Sequence, residues 1–168
     1  MDLSHVLWIG GGQGSGKSSI ARALSRRFDL QLYAIDDHDR AHEPRLPVVA
    51  AGSPAQATPD ELLERFVTTS RHRFRLVLED LAALPPSPLA IVEGAPLFPT
   101  LVAAVLRAAD HALFLIPGGD EQLTRLVARE AADVRLATLT VDAPLEEMIE
   151  RAAAHFLPVI SAAADRSP

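Results

Sequence analysis

Eight residues near the amino terminus constrain this chain more than anything else in it. Gly11-Gly12-Gln13-Gly14-Ser15-Gly16-Lys17-Ser18 fits G-x-x-x-x-G-K-[ST] at every fixed position. Before it stands the apolar run Val6–Ile9, ending in Gly10, and after it Ile20, Leu24 and Phe28 recur every four residues. A buried strand, a glycine turn and an amphipathic helix are therefore expected in that order. The glycines let the backbone wrap closely around an anion with its N–H groups turned inward. The helix start adds the positive end of a dipole. In that setting Lys17 reaches the β- and γ-phosphates of a nucleotide, and the Ser18 hydroxyl offers a ligand to Mg²⁺. Gly11 to Ser18, with the adjoining Ser19, are the candidate nucleotide-binding residues. The competing dinucleotide fingerprint G-x-G-x-x-G fits in no register, since Gly10 and Gly12 lead to Ser15 and Gly12 and Gly14 lead to Lys17.

Composition sharpens this. Lys17 is the only lysine, against fifteen arginines. A compact ammonium on a flexible stem suits a position between phosphates better than a planar guanidinium does. No cysteine is present, which excludes disulfides, thiolate metal sites and cysteine nucleophiles. The formal charge of −6 argues against a nucleic-acid partner. The longest uncharged stretches are broken by proline and fall short of a membrane span, and no basic-then-apolar leader precedes the first strand. A cytoplasmic protein with no membrane partner is expected, its oligomeric state unreadable.

Along the chain, strand and helix alternate. Strands are expected at Val6–Ile9, Gln31–Ile35, Leu89–Val92, His111–Ile116 and Leu136–Val141. Helices are expected over 17–28, from the capping box Thr58-Pro59-Asp60-Glu61 to before Pro85, from Pro99 to about Arg107, from a cap at Gly118-Gly119-Asp120 to about Ala132, and from Asp142 and Pro144 to about Phe156. Glu43–Thr58, interrupted by three prolines, reads as a long mobile loop, and the tail after Pro158 reads as frayed. Apolar, unalternated strands separated by helices specify a parallel sheet covered on both faces, in one domain spanning 1–168.

With this motif and this element order, the chain resembles the small P-loop kinases, a group that includes nucleoside monophosphate, shikimate and gluconate kinases and chloramphenicol phosphotransferase. The resemblance covers nearly the whole chain in element order, but only the phosphate loop is a highly specific motif. It implies a three-layer α/β/α P-loop NTPase fold with a five-stranded parallel sheet in the order 2-3-1-4-5. ATP and Mg²⁺ are the implied cofactors, and a hydroxyl-bearing small molecule is the implied acceptor. Only Pro117 to Val134 separates the fourth and fifth strands, so a lid is expected to be reduced or absent.

The remaining candidates follow from position and from the resemblance. Asp36 and Asp37 come just after the second strand, at the carboxyl edge of the sheet where ligands bind. In the kinases this chain resembles, a carboxylate there faces the γ-phosphate and binds the acceptor hydroxyl or helps to hold Mg²⁺; either aspartate fits. Glu93 ends Leu89-Ala90-Ile91-Val92-Glu93, where P-loop enzymes usually place an aspartate near the metal. It is a candidate metal residue or a carboxylate satisfied at a strand end. Arg125 and Arg129 lie where related kinases place phosphoryl-clamping arginines, although Glu121 and Arg125 also make an ordinary helical pair. Asp142-Ala143-Pro144 resembles the loop that packs on adenine, and Asp142 is also the expected helix cap. His38 and His42 stand four apart, as a surface or substrate-contact pair more than a metal pair. Arg71, Arg73 and Arg75 are a solvated face or a receptor for an anion. The alternative function is a nucleotide-binding regulatory domain, or a simple ATP hydrolase, with no acceptor.

Overall fold

The computed structural model describes residues 2–47, 57–119 and 121–165. Five strands form one parallel sheet: β1 (Val6–Gly11), β2 (Gln31–Ala34), β3 (Ala90–Glu93), β4 (Ala112–Pro117) and β5 (Ala137–Val141). Their order is β2-β3-β1-β4-β5, as the sequence resemblance implies. Among the described residues, six α-helices connect and cover them: α1 (Lys17–Phe28), α2 (Asp39–His42), α3 (Pro59–Ala83), α4 (Pro99–Ala103), α5 (Gln122–Asp133) and α6 (Leu145–Ala164). A 3₁₀ turn over Ile35–His38 joins β2 to α2.

The pleat sorts the core into two layers. On β1, Val6 and Trp8 face the layer that holds Phe74, Val77 and Leu81 of α3, Phe98 and Val102 near α4, and Val127 of α5. Leu7 and Ile9 face the opposite layer, with Ile20, Ala21 and Leu24 of α1 and Met148, Ala152 and Phe156 of α6. Every residue of β1 and β3 is buried, as a central parallel strand requires. β5 alternates half-buried and exposed side chains because it closes the sheet at one edge.

The expected elements all form, with corrections at their ends. The Thr58 capping box is complete: Thr58 Oγ1 accepts from the Glu61 N–H, and Glu61 Oε2 accepts from the Thr58 N–H. Helix α4 stops at Ala103 rather than Arg107, because the chain tightens over Val102–Leu106 and must extend at Ala108 to enter β4. Among the described residues, the expected fraying does not begin at Pro158. Helix α6 runs through that proline to Ala164, because Phe156 and Val159 are buried against α1 and the sheet. That burial outweighs the hydrogen bond that proline removes. Asp142 does not cap α6; Pro144 occupies the cap position, and the Asp142 carboxylate accepts from Arg151 at 2.7 Å. Asp120, and residues 48–56 of the expected loop, lie outside the described residues.

Two stability measurements check these points. Thr58→Ala is expected to lower the unfolding free energy by about 1 kcal/mol in urea titration. Val159→Asp is expected to lower it by roughly 2 kcal/mol or more, whereas a frayed tail predicts no change.

Candidate active site

The site forms where β1 ends and α1 begins. Gly11 has φ +137°, and a Cβ there would stand 2.3 Å from the Leu115 carbonyl oxygen of β4, so only glycine fits. Gly16 is the N-cap of α1 in the left-handed region, φ +85°, which turns the loop so that the helix start faces the cavity. Gly12 packs on Thr124 of α5, while Gln13 and Gly14 are exposed at the loop tip. Ser15 is buried, and its hydroxyl has no hydrogen-bond partner among the described residues. Ser19 is exposed on α1.

Lys17 is buried at the first position of α1, and its ammonium donates to the Gly12 carbonyl at 2.9 Å. Burial lowers its pKa, an effect opposed by the negative charges of Glu93 and Asp36. Glu93 is 4% exposed, paired in register with Ile9 of β1 on one side and Ala34 of β2 on the other. Alternation along β3 turns it toward the α1 layer, where Ser18 hydrogen-bonds to it. Burial pushes the Glu93 carboxyl above its ordinary value, and the Ser18 bond and the Lys17 charge only partly offset this. Asp36 is exposed on the turn after β2 and joins the same cavity wall.

The cavity these residues share measures about 490 Å³. Its lining combines the polar Gln13, Lys17, Ser18, Asp36 and Glu93 with the apolar Phe66 of α3, Ala95 after β3 and Leu123 of α5. Asp37, Arg125 and Arg129 are exposed and do not line it. The loop of Asp142 and Pro144 approaches from another side, where Leu145 Cδ1 stands 4.0 Å from a Cβ position on Gly16. Leu145 is exposed despite its apolar side chain, and the sequence carried no signal that singled it out.

The turn that carries Asp36 is strapped to α3. Asp80 Oδ2 accepts from the Tyr33 hydroxyl at 2.6 Å and pairs with His42 Nε2 at 2.9 Å. His38 stacks on Tyr33 with ring centroids 4.1 Å apart. Arg73 pairs with Asp39, and Arg45 with Glu79. His42 is therefore a buried partner of Asp80, not a surface group, and no set of three His, Asp or Glu able to hold a metal occurs among the described residues. The Arg71–Arg75 cluster also divides, since Arg73 turns inward to Asp39 while Arg71 and Arg75 stay exposed.

No protein-family model matches the chain, and no curated protein matches it in sequence. Solved structures do match in shape. A gluconokinase from Sinorhizobium meliloti 1021 superposes with a TM-score of 0.54 at 16% identity, over 100% of both chains. Shikimate kinase from Aquifex aeolicus vf5 superposes with a TM-score of 0.56 at 16% identity, over 90% of this chain and 96% of that one. The chain thus shares the fold of these small P-loop kinases.

Two variants test the electrostatics. A carboxyl whose folded pKa is raised opposes folding when ionised. That cost is full above the raised value and vanishes as pH falls through it. Glu93→Gln is therefore expected to raise Tm near pH 8, by an amount that shrinks at acidic pH. Asp80 has the opposite sign: burial pushes it up, but hydrogen bonds from Tyr33 and His42 and the two imidazole charges outweigh this and leave it lowered. Its contribution is full above the ordinary carboxylate range and is lost as pH falls through the lowered folded value. Asp80→Ala, which strands the buried His42, is expected to cost on the order of 1–3 kcal/mol in urea titration at neutral pH.

Proposed function

We propose that this chain is a small-molecule kinase that moves the γ-phosphoryl group of ATP to a hydroxyl of an acceptor. One observation carries the reading: a phosphate-loop lysine, the serine after it and carboxylates from the ends of two strands converge on one cavity that apolar side chains also line. A hydrolase needs room for a water, whereas a cavity of about 490 Å³ has room for a phosphoryl group and a small acceptor.

The residues at the cavity have roles in this reading. The loop N–H groups and the α1 terminus receive the phosphates. Lys17 exchanges its bond to the Gly12 carbonyl for phosphate oxygens, which also restores a partner for a charge that burial disfavours. Ser18, Glu93 and Asp36 are hard oxygen donors of the kind Mg²⁺ takes, but they do not enclose it, so phosphates and water would complete its shell. Bound there, the ion would neutralise charge on the phosphates during transfer. Asp36 accepts the hydroxyl proton as the new O–P bond forms and the bond from the γ-phosphorus to the bridging oxygen breaks, with the electron pair leaving on ADP. Leu145, with the loop of Asp142 and Pro144, packs on the adenine. Arg125, Arg129 and Asp37 are exposed outside the cavity lining, and this reading gives them no part in the transfer.

The test is ADP release from Mg-ATP across a panel of hydroxyl compounds. Acceptor-dependent release is expected. Lys17→Ala is expected to reduce kcat/KM by about 1,000-fold and Asp36→Asn by about 100-fold, the latter with ATP affinity kept. Release that ignores the acceptor would make the chain a hydrolase, and tight binding without release a nucleotide-binding module. Because Lys17 is the only lysine, an amine-directed label has one side-chain target, and ATP is expected to protect it.

A further inference from the structure

We infer that the acceptor is an uncharged alcohol with an apolar ring or hydrocarbon face, and that alcohols bearing a carboxylate or phosphate are refused. This rests on the kinase reading and deepens it. An anionic acceptor needs a cation in its pocket, because an unpaired charge taken out of water is costly. Among the described residues Lys17 is the only cation lining the cavity, and in the kinase reading the nucleotide phosphates claim it. The other ionisable groups of the lining, Asp36 and Glu93, are acids, and a Mg²⁺ held between them and the nucleotide phosphates is claimed by those phosphates, so neither offers an anion a partner.

The arginines that the sequence offered as an anion receptor are placed elsewhere. Arg73, the one turned inward on α3, is paired with Asp39, and Arg45 with Glu79. Arg71 and Arg75 are exposed, and no arginine lines the cavity among the described residues. Residues 48–56 contain no charged side chain of either sign, so their sequence adds no cation.

The apolar part of the lining favours the class of acceptor named. Phe66, Ala95 and Leu123 present hydrocarbon to the cavity. Phe66 is backed by Phe98 with ring centroids 5.9 Å apart, so its ring is a fixed surface. The helices that carry Phe66 and Leu123 are tied at their starts by Gln122 Nε2 donating to Asp60 Oδ1 at 2.5 Å. A flat apolar face buried there gains the transfer free energy that a hydrated anion forfeits.

Matched pairs test this with Mg-ATP: glucose against gluconate, adenosine against adenosine 5′-monophosphate, and 2-phenylethanol against 3-phenyllactate, with shikimate added. An uncharged member is expected to be turned over, with kcat/KM at least about 100-fold above that of its anionic counterpart. Equal or better turnover of the anions overturns the inference and leaves the kinase reading standing. Acceptor-independent release, or none across the panel, overturns the kinase reading and the inference with it. Phe66→Arg, and Leu123→Arg as a second variant, with folding checked by circular dichroism, are each expected to shift the ratio at least tenfold toward the anion. A ratio unmoved in both folded variants places the acceptor elsewhere and overturns the inference.

Discussion

The structure depends on one buried charge. Lys17 sits at the start of α1 with its ammonium on a backbone carbonyl of its own loop and two carboxylates nearby. A buried ammonium is tolerated only where its hydrogen bonds and charge are met. Much of the surrounding architecture meets that demand. Gly11 lets β1 run hard against β4, and Gly16 turns the loop into the helix. Glu93 occupies the end of the strand beside β1 and shares its proton balance with Lys17, Ser18 and Asp36. Burial opposes the charged forms of both Lys17 and Glu93, and each is partly offset by the charge of the other.

Sheet order turns this local balance into a site. Because β3 lies between β1 and β2, the carboxylate at the end of β3 and the one after β2 arrive on the same side of the phosphate loop. The helices α3 and α5 then cover the cavity with Phe66 and Leu123. Asp80 holds the Asp36 turn from outside through Tyr33 and His42, so the reacting carboxylate of the proposed kinase stands on a braced segment although it is itself exposed.

Much of this was legible in the residues. The phosphate loop carries its own signal, because each fixed position answers a backbone or charge requirement within eight residues. The capping box at Thr58 is equally local. The ends of α4 and α6 were not legible, because α4 must give way to the entry into β4, while α6 is carried past Pro158 by the burial of Phe156 and Val159. His42 read as a surface group because its partner Asp80 lies 38 residues away on another helix. Asp142 read as a cap because the sequence does not show that Arg151, one face of the helix further on, takes its carboxylate.

The sequence by itself determined the phosphate loop, the parallel α/β architecture and the segments that end at the ligand-binding edge, since glycine spacing, apolar periodicity and capping act over a few residues. Tertiary structure decided which charged groups share the cavity. Asp36 and Glu93 line it and Asp37 does not, while Arg73 is drawn off to Asp39. The balance of charge in the cavity follows from those long-range pairings, because a side chain's electrostatic role depends on the charges that folding sets against it.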